Sequence, residues 1–279
     1  MGSRTNYKNF LIALSIRHKG DWGKIYSDVC KRAVPTDDEL IAALSLRKGV
    51  KVLTVLDSEY PERLKHIQKP PFVIYCEGDV SILTNADPKV AAIIGDKRPS
   101  SYSSKAAARI AAEFADAKAT VAAPFLKGIG ESALAGAITA GGDAIAVLGC
   151  GLADADPEKM PALPAGTMAA SGGRLLRISE YPDGTAWCAQ GILAANRLVA
   201  GLSDAVVVAE CGPHSSSIVT VALALDTGKD VYAVPQRAGS EGTYGNELIK
   251  RGAGLCESAS DVIEGWSVAK TPASEWKFL

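Results

Sequence analysis

From about residue 51 onward, short apolar runs alternate with amphipathic stretches. The runs fall at Val52–Leu56, Phe72–Tyr75, Val90–Ile94, Thr120–Ala123, Ala144–Leu148, Leu175–Ile178, Ala205–Ala209 and Val231–Val234. Helical spacing fills most of the gaps, at Ser103–Ala117, Glu131–Ala140, Gln190–Leu202, Ile218–Asp226 and Glu247–Arg251. Strand and helix alternating in this way predict an α/β fold, a doubly wound and mostly parallel sheet. Ala205–Ala209 is apolar without a break, which suits a strand covered on both faces. Right-handed crossovers then place the ligand crevice beyond the carboxyl ends of the strands. Upstream, residues 5 to 48 read as helical, with Phe10, Leu11, Leu14 and Ile25, Val29 at helical spacing. Thr36 and Glu39 form a capping-box pattern before Leu40–Leu44, and Gly49 suits the helix exit. The expected organisation is a small helical module at 1–50, the α/β domain at 51–265 and a peripheral tail at 266–279.

Composition narrows the function more than the fold. The 279 residues carry a net charge of −1, so a nucleic-acid partner would have to be met by a local basic patch. Cysteines 30, 76, 150, 188, 211 and 256 show no CxxC pair and no metal spacing. That argues against a structural zinc or a disulfide framework and fits a reducing cytoplasm. Phe10–Ile16 is too short to span a bilayer, so no membrane role is expected.

The candidate chemistry sits in the loops that follow strands. Gly95-Asp96-Lys97-Arg98-Pro99-Ser100 offers a tight turn, two cations and a helix cap. Pro124 to Gly130 supplies Lys127 and two glycines, Gly128 and Gly130, with Phe125 as a ring that can stack on a base or fill the core. Gly149-Cys150-Gly151 permits close backbone approach or a plain turn. Ser215-Ser216-Ser217 follows a buried strand and opens a helix, where free N–H groups and the dipole favour an anion; the same serines would also serve as caps alone. Asn196-Arg197 adds a guanidinium able to fork onto a phosphate or to sit in an ion pair. No nucleophile, base and orienting group stand at a readable spacing, so the chain reads as a binding protein rather than an enzyme, with no cofactor called for.

The order of these motifs resembles the DNA-processing protein A (DprA/Smf) family. The match runs through Tyr60-Pro61, Pro70-Pro71, Gly95–Ser100, Lys127-Gly128-Ile129, Ala146–Leu152, Ser179-Glu180-Tyr181-Pro182, Asn196–Ser203, Ser215–Thr220, Ala233-Val234-Pro235 and Gly245–Ile249. The resemblance implies an extended Rossmann-like domain that binds single-stranded DNA in a basic pocket. It also implies a homodimer that loads the RecA recombinase during natural transformation. Carried over, the pocket comprises Gly95, Lys97, Arg98, Ser100, Lys127, Gly128, Asn196, Arg197, Ser215 and Ser217. This chain departs from the family at several of these places. Gly-Ser-Arg becomes Gly95-Asp96-Lys97, replacing a forked guanidinium with a point charge and adding a carboxylate. Ser-Gly-Gly-Ala-Arg-Gly becomes Ala123 to Gly128, Phe-Pro-x-Arg becomes Ile192 to Ala195, and Ser-Gly-Ser becomes Ser215–Ser217. Two other readings remain open: a pocket for a nucleotide or nucleotide-derived signal, and a phosphoribohydrolase-like enzyme. The second lacks an acidic residue from Ile218 to Leu225.

Overall fold

The computed structural model describes residues 2–84, 89–161, 171–240 and 244–267, with 2–6 and 267 described by backbone alone. The peripheral tail expected at 266–279 therefore lies mostly outside the described residues. Helices α1 (Gly2–Arg17), α2 (Trp22–Lys31) and α3 (Asp37–Leu44) open the chain. The Asp21 carboxylate accepts from the Lys24 amide to cap α2, and Thr36 with Glu39 completes both halves of the capping box on α3. Tyr75 donates to Ser15 Oγ at 3.1 Å and Trp22 Nε1 to the Pro70 carbonyl at 2.7 Å, tying these helices to the sheet.

The strands are β1 (Val50–Thr54), β2 (Val73–Gly78), β3 (Val90–Gly95), β4 (Thr120–Pro124), β5 (Asp143–Leu148), β6 (Arg174–Ser179), β7 (Ala205–Glu210), β8 (Asp230–Ala233) and β9 (Gly254–Leu255). They form one sheet in the order β1-β2-β6-β5-β4-β3-β7-β8-β9. β1 and β2 pair antiparallel, as do β2 and β6; every other pairing is parallel. The mostly parallel α/β sheet expected from the hydrophobic pattern is thus present, with an antiparallel edge.

Helices alternate with the strands: α4 (Glu62–Lys65), α5 (Ser81–Thr84), α6 (Ser101–Asp116), α7 (Ile129–Thr139), α8 (Ala189–Leu202), α9 (Ser217–Asp226), α10 (Tyr244–Lys250) and α11 (Ala259–Ser267). The strand period of two sorts the core into two layers. Ala91, Ile93, Ala205 and Val207 face the layer that holds Ile110 and Phe114 of α6 and Leu134 of α7. Ala92, Ile94, Val206 and Val208 face Leu198 and Leu202 of α8 and Val221 of α9. A strand buried on both sides cannot alternate polar with apolar residues, which is why β3 and β7 read as unbroken apolar runs.

Two expectations shift for physical reasons. β1 stops at Thr54 rather than Leu56, because the Asp57 carboxylate accepts from the Thr54 amide (2.7 Å) and hydroxyl (3.0 Å) and turns the chain. The two-residue β9 is too short to leave a periodic signal.

The chain steps from β3 through β4 and β5 to β6, then returns past β3 to lay β7 on its other side. That reversal is a topological switch point, where the loops after neighbouring strands diverge and leave a crevice. It lies between β3 and β7. The start of α8 passes close above the end of β5: a Cβ on Gly191 would stand 1.8 Å from the Gly149 carbonyl oxygen. Gly191→Ala should therefore force backbone apart and cost about 3 kcal/mol. A fall in Tm of roughly 6–12 °C is expected for a domain of this size. An unchanged melting curve would mean that the two backbones separate freely.

Candidate functional site

The crevice is assembled from backbone first. Asp96, just past β3, donates its amide to the Glu210 carbonyl at 3.0 Å, and its own carbonyl accepts from the Ile129 amide at 3.1 Å. The loops after β3, β4 and β7 are thereby joined. Gly128 makes the middle loop possible: its φ is +97°, and a Cβ there would lie 2.4 Å from the Asp96 carbonyl oxygen. Only a residue without a side chain fits that approach in that conformation.

Carboxylates occupy part of what sequence alone marks as an anion site. Glu210, at the end of β7, accepts from the Ser100 amide at 3.1 Å and the Ser100 hydroxyl at 2.5 Å. Ser100 in turn accepts from the Ser103 amide and caps α6. The N-terminal end of α6 is thus met by an internal carboxylate, which its dipole favours. Asp96 Oδ2 accepts from the Gly212 amide at 3.0 Å, taking a donor that a phosphate would otherwise meet.

The serine cluster serves mainly to join the loops. Ser217 is buried and donates to the Gly95 carbonyl at 3.0 Å, while the Ser215 hydroxyl accepts from the Ser217 amide at 3.3 Å. Asn196 is buried and donates to the Ser216 carbonyl at 2.9 Å, so it sets the position of this loop from α8. His214 is exposed on the same loop.

Positive charge remains on the rim. Lys97, Arg98 and Lys127 are all exposed. The Lys127 amide donates to the Lys159 carbonyl at 3.0 Å, which brings a further loop and a further lysine alongside. Lys97 Nζ lies 5.1 Å, and Lys159 Nζ 4.7 Å, from the centroid of the Trp187 ring. Lys159 also pairs with Asp156 at 2.6 Å and, with the Glu158 amide, holds that carboxyl below its usual value. Lys159 and Trp187 escaped the sequence reading because both sit in loops without periodicity. The one available signal was a tryptophan in an otherwise polar loop. Phe125, which the sequence left open between a stacking ring and the core, is buried and lies beneath the Arg177 guanidinium at 5.4 Å.

Gly95, Lys97, Arg98, Ser100, Lys127, Gly128, Ser215 and Ser217 thus belong to the loops gathered at this switch point. Arg197 is directed elsewhere. It lies one residue beyond Asn196 on α8, and the two side chains leave the helix about 100° apart. Its guanidinium pairs with the buried Glu180 carboxylate and donates to the Gln68 carbonyl at 3.2 Å. Its side chain is only 12% exposed. Burial pushes the Glu180 carboxyl above its ordinary pKa, and Arg197 opposes that shift.

The Glu180–Arg197 pair makes stability depend on pH. A carboxyl whose pKa is raised in the folded state binds its proton more tightly there than in the unfolded chain. Its contribution to stability therefore falls as pH rises from the free value of about 4.3 through the folded value. Arg197→Met removes the opposing cation and should cost about 3–5 kcal/mol at pH 8. The loss should be smaller at pH 5, because lowering the pH favours the neutral form of a carboxyl whose pKa is raised. Urea midpoints at the two pH values check this; an equal loss at both would show that Glu180 is not its source.

Among the described residues, no helix is long and apolar enough to cross a membrane. A profile of the family described as DNA recombination-mediator protein A matches residues 51–267. Protein Smf of Escherichia coli is 31% identical over 210 residues, covering 75% of this chain and 54% of that protein. This chain therefore spans about half the length of that relative. DNA processing protein DprA of Streptococcus pneumoniae is 31% identical over 213 residues, 75% of this chain and 72% of that one. The X-ray structure of DNA processing protein A from that organism superposes with a TM-score of 0.70 at 25% identity, covering 98% of this chain and 97% of the other. DNA processing protein A of Helicobacter pylori, solved for its single-stranded DNA binding mode, gives 0.63 at 26% identity over 78% of this chain and 95% of the other.

Proposed function

The chain belongs to the DNA recombination-mediator protein A family, and on that ground we propose that it binds single-stranded DNA in DNA processing and recombination during DNA uptake. The observation that carries this reading is the placing of Lys97 and Lys159 over Trp187, with exposed Lys127 on the adjoining loop, at the rim of the β3–β7 switch point. Exposed cations there can track a phosphate backbone, and the ring supplies a surface that does not depend on base identity. The Helicobacter pylori relative, with its single-stranded DNA binding mode, supports the same class of ligand. In this reading residues 51–265 form the binding unit and the helices before them an accessory module. The protein works by binding, without a catalytic group of its own. It acts as a homodimer that delivers the strand to the RecA recombinase, which sedimentation and a RecA-loading assay test.

A nucleotide ligand is the second reading, and one observation favours it. Asp96 and Glu210 occupy donors that successive phosphates would use, which suits a ligand with fewer charges. Thermal stabilisation by nucleotides, where oligonucleotides give none, would select it.

If Lys97 and Lys127 each meet one phosphate, log K for a thymidine oligonucleotide should fall against log salt with a slope of about −1.4. Lys127→Ala should weaken binding and reduce the magnitude of that slope by about 0.7 without lowering Tm. Binding that ignores salt, or that is indifferent to Lys127, removes this assignment. Asp96→Ser frees the Gly212 amide and deletes a negative charge from the crevice. It should tighten binding and steepen the slope by about 0.7, if a phosphate takes the place of the lost carboxylate. Fluorescence anisotropy over a salt series measures both variants, and weaker binding by Asp96→Ser would show that the carboxylate organises the loop more than it repels.

A further inference from the structure

Trp187 is half-buried in the loop between β6 and α8, and its ring packs at the border of the core layer that contains Phe114 and Leu134. Both cations on its ring come from loops of the switch-point rim. Their tethers differ. Lys159 is held by Asp156 at 2.6 Å and by its own backbone, whose carbonyl accepts from the Lys127 amide. Lys97 is exposed, and among the described residues its ammonium has no carboxylate partner at ion-pair distance. The ring therefore has one fixed cation and one that can leave.

An ammonium over an exposed or half-buried ring is held more weakly than by a charge-assisted hydrogen bond to phosphate. A phosphate arriving at the rim should draw Lys97 off the indole. The surface it uncovers is apolar, flat and beside the phosphate just bound. A nucleobase one sugar away from that phosphate has the shape and chemistry to take the vacated place.

Resting on the reading that this site takes single-stranded DNA, we propose that Trp187 is the base-stacking residue of the site and that Lys97 covers its ring until a phosphate displaces it. Recognition at this position is then by stacking, tolerant of sequence and intolerant of a missing base. It also divides the labour on the rim. Lys97 and Lys127 respond to phosphate, Trp187 responds to the base, and Lys159 steadies the ring from its tethered position.

The experiment compares a thymidine oligonucleotide with an abasic deoxyribose-phosphate strand of equal length, using the full chain and fluorescence anisotropy. The wild type should prefer the thymidine strand by about tenfold. Trp187→Ala should bring that ratio close to unity while leaving affinity for the abasic strand and its salt slope in place. Trp187→Phe should retain most of the preference, which separates loss of a ring from loss of the fold. Lys97→Ala should weaken both strands alike. The proposal is overturned if Trp187→Ala keeps the wild-type ratio, or if the wild type binds both strands equally and salt-dependently; in either case the single-stranded DNA reading itself survives. Failure of the wild type to bind either strand overturns both.

Discussion

The carboxylate of Glu210 is the contact on which the crevice depends. It ends β7, yet its partners, the amide and hydroxyl of Ser100, begin α6 on the far side of β3. A buried carboxylate is tolerable only when donors surround it, and the end of a helix supplies them ready-made. In return the carboxylate fixes where α6 starts, and with it the turn that carries Lys97 and Arg98. The parallel pairing of β3 with β7 shifts register at Ile94/Gly95, so the strands part at the same level at which Glu210 reaches across. The seam and the opening of the crevice are thus one feature.

Around that seam, backbone groups and a hydroxyl complete the joining, and positive charge is left to the outside. Asp96 is bound to neighbouring loops through its amide, on the Glu210 carbonyl, and its carbonyl, on the Ile129 amide, and Ser217 through a hydroxyl on the Gly95 carbonyl. Backbone contacts of this kind hold loops in place without using the lysine side chains. Those remain on the rim, where their hydration costs little to keep and their field acts on an approaching polyanion. With a whole-chain charge of −1, attraction has to be local in this way.

The two arginine–carboxylate and lysine–ring arrangements show how different burial gives similar cations different work. Arg197 is nearly enclosed with Glu180, so its charge is already matched and its planar fork fixes α8 against the loop after β6. Lys97 sits in the open over Trp187, where the attraction is weak and easily replaced. Family membership and the structural match to relatives of known DNA processing give the same fold, while the carboxylate at Asp96 is a feature of this chain's own crevice.

What the sequence determined was the sheet and its loops. Unbroken apolar runs at β3 and β7, glycines at strand ends and the Thr36–Glu39 box are local signals, each enforced by residues adjacent in the chain. They suffice to place Gly95, Ser100, Gly128 and the serine cluster after strands. Tertiary structure decided which side chains those loops leave available. Sequence left Arg197 open between a phosphate fork and an ion pair, and Phe125 between a stacking ring and the core; Glu180 and the core claim them. Lys159 and Trp187 reach the rim from loops that carry no period. Residue type and spacing record what a side chain is able to do. Its partners come from segments distant in sequence, and only the packed molecule brings them within reach.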